Sequence, residues 1–238
     1  MSQESGALLR CLGKWTRIPL AGLPAYEIQA GGRRVVLVTC GMGMRRAGEA
    51  ARLLLERVGP QVLISFGVAG AVRDDLEIGD VVAIRAACLL ERGGPGPLLR
   101  LASFSASAQA AAAEAAQGCG AKLVYGMAVT TRGSQVTHLP PEVVNPVLEM
   151  ETMGILPVAE AAGIPLLALR AVSDNPQAPL PFDLEGMLDE DDNLRLGALL
   201  KTVLRHPAKI VQGLRMGRNT GTAARNAALV LAAALSHW

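Results

Sequence analysis

Aromatic residues are scarce in this sequence: Phe, Trp and Tyr make up 3% of 238 residues. A chain so poor in π-faces is not built as a stacking platform for single-stranded nucleic acid, so no nucleic-acid partner is expected. Cysteines number four, Cys11, Cys40, Cys88 and Cys119, widely spread and without a C-x-x-C pair. That spacing argues against a zinc site and fits buried free thiols in a reducing compartment. The three histidines, His138, His206 and His237, lie far apart, so no metal is expected. No apolar run reaches the roughly 18 residues of a membrane span; the nearest, Asn226 to Leu235, is too short. The N-terminus has no basic region followed by an apolar stretch, so no signal peptide is read and a cytoplasmic location is expected.

What is abundant is alanine, leucine and glycine, with half of all residues hydrophobic and 18% charged. That share excludes a disordered chain, and the length suits a single domain with a core of its own. The net charge of +2 conceals a split. Seven basic residues and no acidic one follow Asp192, so the first 192 residues carry −5. Residues 193–238 therefore read as a helical, basic C-terminal extension to a domain at 1–192. Within it Leu204, Ile210, Val211 and Leu214 with Arg205, Lys209, Arg215 and Arg218 form a candidate amphipathic stretch for peripheral contact with a membrane face. The competing reading is a helix packed on the domain or in an oligomer interface.

Short apolar runs alternate with helical patterns. Strands are predicted at Arg34 to Thr39, Val62 to Phe66, Asp80 to Leu89, Lys122 to Thr130, Val147 to Met150 and Pro165 to Val172. Helices are predicted at Arg45 to Val58, Ser105 to Gln117 and Glu151 to Ala162, and from Leu194 onward with breaks at Pro207 and near Gly217 to Gly221. Gln177 to Asp192 reads as a polar, acidic loop. The alternation implies an α/β fold with a largely parallel sheet covered by helices on both faces. Ligands in such sheets bind beyond the strands' carboxyl ends. Gly41-Met42-Gly43, Gly67-Val68-Ala69-Gly70, Glu149-Met150-Glu151 and Ser173-Asp174 sit at such ends.

Period-two alternation puts Glu149 and Glu151 on one side of a strand and Met150 on the other. Acids there either favour the first turn of a helix or grip sugar hydroxyls, with Met150 as an apolar contact. Asp174 ends an apolar strand, as a turn or cap residue or as one of two acids dividing proton transfer and charge stabilisation. Gly41 and Gly43 open a helix whose N-terminus suits phosphate or water, with Arg45 and Arg46 following. The turn lacks the third glycine of a dinucleotide fingerprint, so no such cofactor is expected.

Taken in order, the glycine turn, the GxAG strand end, Ile78-Gly79-Asp80, Glu149-Met150-Glu151 and Arg170-Ala171-Val172-Ser173-Asp174 resemble the purine nucleoside phosphorylase/uridine phosphorylase superfamily. The resemblance covers residues 4–176 and is nearest to 5'-methylthioadenosine/S-adenosylhomocysteine nucleosidases and the hopanoid-associated nucleoside phosphorylases. It implies a three-layer nucleoside phosphorylase-like fold with a central mixed, largely parallel sheet flanked by helices. By the same resemblance Asp174 is the acid that protonates the purine, positioned by Ser173. Glu151 binds the ribose hydroxyls, Met150 packs on the sugar, Glu149 joins the substrate-binding set, and Val68, Ala69 and Gly70 lie beside the base. Gly41, Gly43 and Arg45 mark the phosphate or water site.

The sequence departs from the family at several points. The family's first strand has no counterpart before Ser2 to Leu9. The water-activating glutamate of the hydrolases aligns with Ser5, with Glu4 one residue before it. Val68 replaces a serine, Ser65 an arginine, and Thr130-Thr131-Arg132 a Ser-x-Asp segment. Arg45, Arg46 and Arg132 are candidate replacements at a phosphate site. The expected activity is cleavage of the N-glycosidic bond of an adenine nucleoside, by phosphorolysis of adenosylhopane with inorganic phosphate as co-substrate. The alternatives are a hydrolytic methylthioadenosine/S-adenosylhomocysteine nucleosidase and an inactive nucleoside-binding protein. Self-association into a homo-oligomer is expected from the same resemblance.

Overall fold

The apolar runs form strands and the alanine-rich stretches form helices in the computed structural model, which describes residues 2–91, 94–131, 139–177 and 208–238. The order is α1 (Ser2–Leu12), β1 (Trp15–Leu20), β2 (Leu23–Ala30), β3 (Arg33–Val38), α2 (Met44–Arg57), β4 (Leu63–Ala71), β5 (Val81–Glu91), β6 (Gly94–Pro95), β7 (Leu99–Arg100), α3 (Ala106–Gly118), β8 (Leu123–Thr130), β9 (Pro146–Glu149), α4 (Thr152–Ala161), β10 (Leu166–Asp174) and α5 (Ala208–Ser236).

The central sheet is mixed and flanked by helices. β10 runs parallel to β4, and β5, β8 and β9 run parallel to one another. The two groups oppose each other where β4 meets β9 and where β10 meets β5. The pairings β10–β4–β9–β8–β5 return to β10, so five strands close on themselves. β1, β2 and β3 form a separate antiparallel meander. Arg34 to Thr39 thus belongs to this second sheet. Two strands before it, starting at Trp15, have no counterpart among the sequence-predicted ones.

β10 is buried along Leu166 to Ser173, as its apolar run requires. On one side it meets α5, whose Ala223, Ala227, Ala228, Val230, Leu231, Ala234 and Leu235 share a core with Leu8 of α1 and Ala108 and Ala112 of α3. This half of α5 is core rather than an added tail. The predicted break at Gly217 to Gly221 does not occur: the helix is continuous from Ala208 to Ser236. A glycine in a helix costs about 1 kcal/mol, which burial of the alanine–leucine face outweighs. Leu204 and Arg205 fall outside the described residues, and the side chains of 208–216 are likewise outside them. Among the described residues no helix is long and apolar enough to cross a membrane.

On the other side α2 and α4 cross closely. A Cβ on Gly48 would lie 2.7 Å from the Gly154 oxygen, and one on Gly154 would overlap the backbone oxygen of Met44. Backbone cannot yield as a side-chain tip can. Gly154→Ala should therefore lower unfolding free energy by about 1–3 kcal/mol. Urea denaturation checks this, and an unchanged midpoint would mean that the helices part without cost.

Candidate active site

β10 and α1 bring Asp174 and Glu4 to the end of β4, and the β9–α4 junction brings Glu151 within reach of the Glu4 charge. β4 pairs with β10 in register, and Asp174 sits opposite Gly70. A Cβ on Gly70 would come within 2.5 Å of Asp174 Oδ2, so glycine is what lets the carboxylate lie against this strand. The Ser173 hydroxyl reaches both Asp174 Oδ1 at 2.7 Å and the Ala69 carbonyl at 3.3 Å. Burial pushes the Asp174 carboxyl above its usual range, against the opposite pull of the Ser173 hydroxyl. A carboxyl so raised is suited to carry a proton to a leaving group.

Glu151 stands where β9 turns into α4. Its Oε1 accepts from the Gly43 amide at 3.1 Å and its Oε2 from the Met150 amide at 3.3 Å. The Gly41–Gly43 turn thus serves Glu151 directly. Burial, then the charge of Glu149, pushes the Glu151 carboxyl up to about 7, with Arg170 and the Gly43 amide pulling the other way and Glu4 adding to the rise. Met150 is buried beside it.

Glu149 does not share that position. Its Oε2 pairs with Arg170 Nη2 at 2.7 Å, with both side chains essentially inaccessible. It also accepts from the Thr130 and Thr152 hydroxyls and from the Thr152 and Glu151 amides. Burial alone would raise Glu149, but the Arg170 charge and these hydrogen bonds hold it below the usual carboxylate range. The expectation that Glu149 binds substrate is therefore corrected: its carboxylate is buried and faces Arg170 in the interior. Strand alternation fails because Glu151 has left the strand, with φ −122° and ψ −37° at the N-cap of α4.

Glu4 is the acid that alignment misplaced. It is buried in α1, and its Oε1 lies against Gly67 and accepts from the Val68 amide at 3.1 Å. Its charge is felt by both Glu151 and Arg170. Glu4 therefore reaches the β4 backbone at Gly67 and Val68. A signal was present in the sequence, an acid one residue from the aligned position in a helix, and the register of that helix decided it. Ser65 fills the place of the family arginine by bonding Arg170 Nη2 at 2.8 Å.

Val68, Ala69 and Gly70 line the same strand end, between Glu4 and Asp174. Arg45 pairs with Glu49 on the exposed face of α2 at 2.9 Å. Arg46, instead, lies against Gly41. Arg132 is outside the described residues. Among the described residues no group of His, Cys, Asp and Glu could hold a metal ion.

Comparison with known proteins shows the family and the fold. The family described as the phosphorylase superfamily matches residues 1–205. A 5'-methylthioadenosine/S-adenosylhomocysteine nucleosidase of Listeria monocytogenes serotype 4a is 28% identical over 210 residues, covering 77% of this chain and 88% of its own. One from Anoxybacillus flavithermus is 26% identical, covering 89% and 93%. The solved structure of the Campylobacter jejuni 5'-methylthioadenosine/S-adenosylhomocysteine nucleosidase shares the fold over the whole chain and 96% of its own, with a TM-score of 0.68 at 22% identity. The futalosine hydrolase of Helicobacter pylori does so at 17% identity, covering 100% and 95%, again with a TM-score of 0.68. With the family's match running from residue 1 through Glu4, Glu151 and Asp174 to residue 205, the chain belongs to the phosphorylase superfamily and is an enzyme of that family.

Proposed function

We propose that this enzyme cleaves the N-glycosidic bond of an adenine nucleoside, with water as the nucleophile. The observation that carries the reading is the placement of Asp174 against Gly70 and of Glu4 against Gly67 and Val68 on β4, with the charge of Glu4 acting on Glu151. Breaking the bond builds positive charge on the ribose and negative charge on the base. Asp174, whose carboxyl burial pushes above its usual range, supplies the proton to the purine ring nitrogen, a step worth roughly 10²–10⁴-fold. Glu151 accepts hydrogen bonds from the ribose hydroxyls and favours the oxocarbenium-like state. Glu4, steered to the cleft by the Val68 amide, takes the proton from the attacking water. The relatives named for methylthioadenosine and S-adenosylhomocysteine point to adenine nucleosides with a 5' thioether.

Water is favoured over the phosphorolysis expected from sequence because the groups gathered here are the carboxyls Glu4, Glu151 and Asp174, and the buried cation that feels Glu4 and Glu151, Arg170, is already matched by Glu149. A phosphate dianion would be repelled by Glu4 and by ionised Glu151. Arg46 beside Gly41 is the observation favouring the phosphorolytic reading, including the adenosylhopane-type substrate. The test is adenine release from methylthioadenosine, adenosylhomocysteine and adenosylhopane, each with and without inorganic phosphate. Release from the thioether nucleosides at a rate indifferent to phosphate is expected. Strict phosphate dependence would transfer the activity to phosphorolysis, and no release from any of them would sink the glycosidic reading.

A further inference from the structure

We propose that Glu149 is a positioning residue: held by Arg170 behind the sugar-facing acid, it fixes both the place and the charge of Glu151. The inference rests on Glu151 gripping the ribose, as proposed above.

The argument starts from a helix terminus. The first amides of a helix lack intrahelical partners, and a short polar side chain such as Asp or Ser at the N-cap ordinarily accepts from them. Glu151 occupies the N-cap of α4, yet its side chain makes no capping bond. Glu149 does that work instead. Its carboxylate accepts from the Glu151 amide at 3.1 Å and the Thr152 amide at 2.9 Å. The Thr130 hydroxyl, which donates to Glu149, accepts from the Met153 amide at 3.2 Å. The start of α4 is thereby satisfied from within the protein. The Glu151 carboxylate is released from capping and reaches across to Gly43.

A buried ion pair seldom adds stability over well-packed apolar residues, so the Glu149–Arg170 pair calls for another use. Arg170 keeps Glu149 ionised, and ionised Glu149 acts on Glu151 through space. The groups facing Glu151 are Glu149 from β9, Arg170 from β10, Glu4 from α1, the Gly43 amide before α2, and the Cys40 thiol, which burial and Glu151 push up. After burial, Glu149 is the largest influence and acts opposite to Arg170. Removing its charge should therefore make Glu151 easier to ionise.

The experiment is the pH profile of kcat/KM for adenine release by the intact protein. Wild type should show a limb near pH 7. In Glu149→Gln that limb should move to lower pH by about one unit or more. The double variant Glu149→Gln/Arg170→Gln removes both buried charges and avoids a lone cation. Its limb should move the same way by less. Leu231→Ala, a cavity in the α5 core, should lower stability while leaving the limb in place. A wild-type profile without a limb near pH 7, or an unmoved limb in both folded variants, would overturn the positioning role. Failure of wild type to release adenine at all would overturn the glycosidic reading itself, and this inference with it.

Discussion

Asp174→Asn should lower kcat for adenine release by about 10²–10⁴-fold, the usual worth of a positioned proton donor. An amide keeps the shape of the carboxyl and can still face the Ser173 hydroxyl, but it has no acidic proton to give. Nucleoside binding should change far less than turnover, because the lost interaction develops in the transition state. Folding should be little affected, since burial already disfavours the charged form of Asp174. Steady-state adenine release, with calorimetric binding of the nucleoside, checks both parts. Undiminished turnover would remove Asp174 from the mechanism and leave its contact with Gly70 as an element of packing.

The second large effect is on stability. Arg170→Met should cost about 3–5 kcal/mol, because it strands the Glu149 carboxylate without its cation in a fully buried site. Thermal or urea unfolding measures it at neutral pH. A carboxyl held below its unfolded value adds stability above the unfolded carboxylate pKa and loses it as pH falls through the folded one. The gap between wild type and variant should therefore narrow in acid. Arg170→Met/Glu149→Leu should recover most of the loss, since two apolar residues leave no uncompensated charge. A cost below about 1 kcal/mol for the single variant would put the pair on a par with an exposed ion pair and contradict its burial.

The acids at strand ends were legible because a strand's end is marked by where its apolar run stops. Asp174 follows Leu166 to Val172 without ambiguity, and Ser173 precedes it as the spacing requires. The division of labour between Glu149 and Glu151 was not legible. Alternation assigns two residues apart to one face only while both stay in the strand, and the chain leaves β9 at Glu149. Arg170 read as a lone polar residue in an apolar strand. Its partner, 21 residues earlier, is identified only by the pairing of β10 with β4 and of β4 with β9. Glu4 was nearly legible, one position from where alignment set the acid, but a helix turns by about 100° per residue. One position therefore separates a carboxylate against Gly67 and Val68 from one that misses them.

By itself the sequence determined the main strands and helices between Arg34 and Asp174, because burial demands apolar periodicity and turns demand glycine and proline. It also determined which acids stand at strand ends. The closure of five strands, the continuity of α5 through Gly217 and Gly221, and the burial of Glu149 against Arg170 were decided by the tertiary structure. Each depends on contacts between residues far apart in the chain, where packing outweighs the local preferences that a sequence displays.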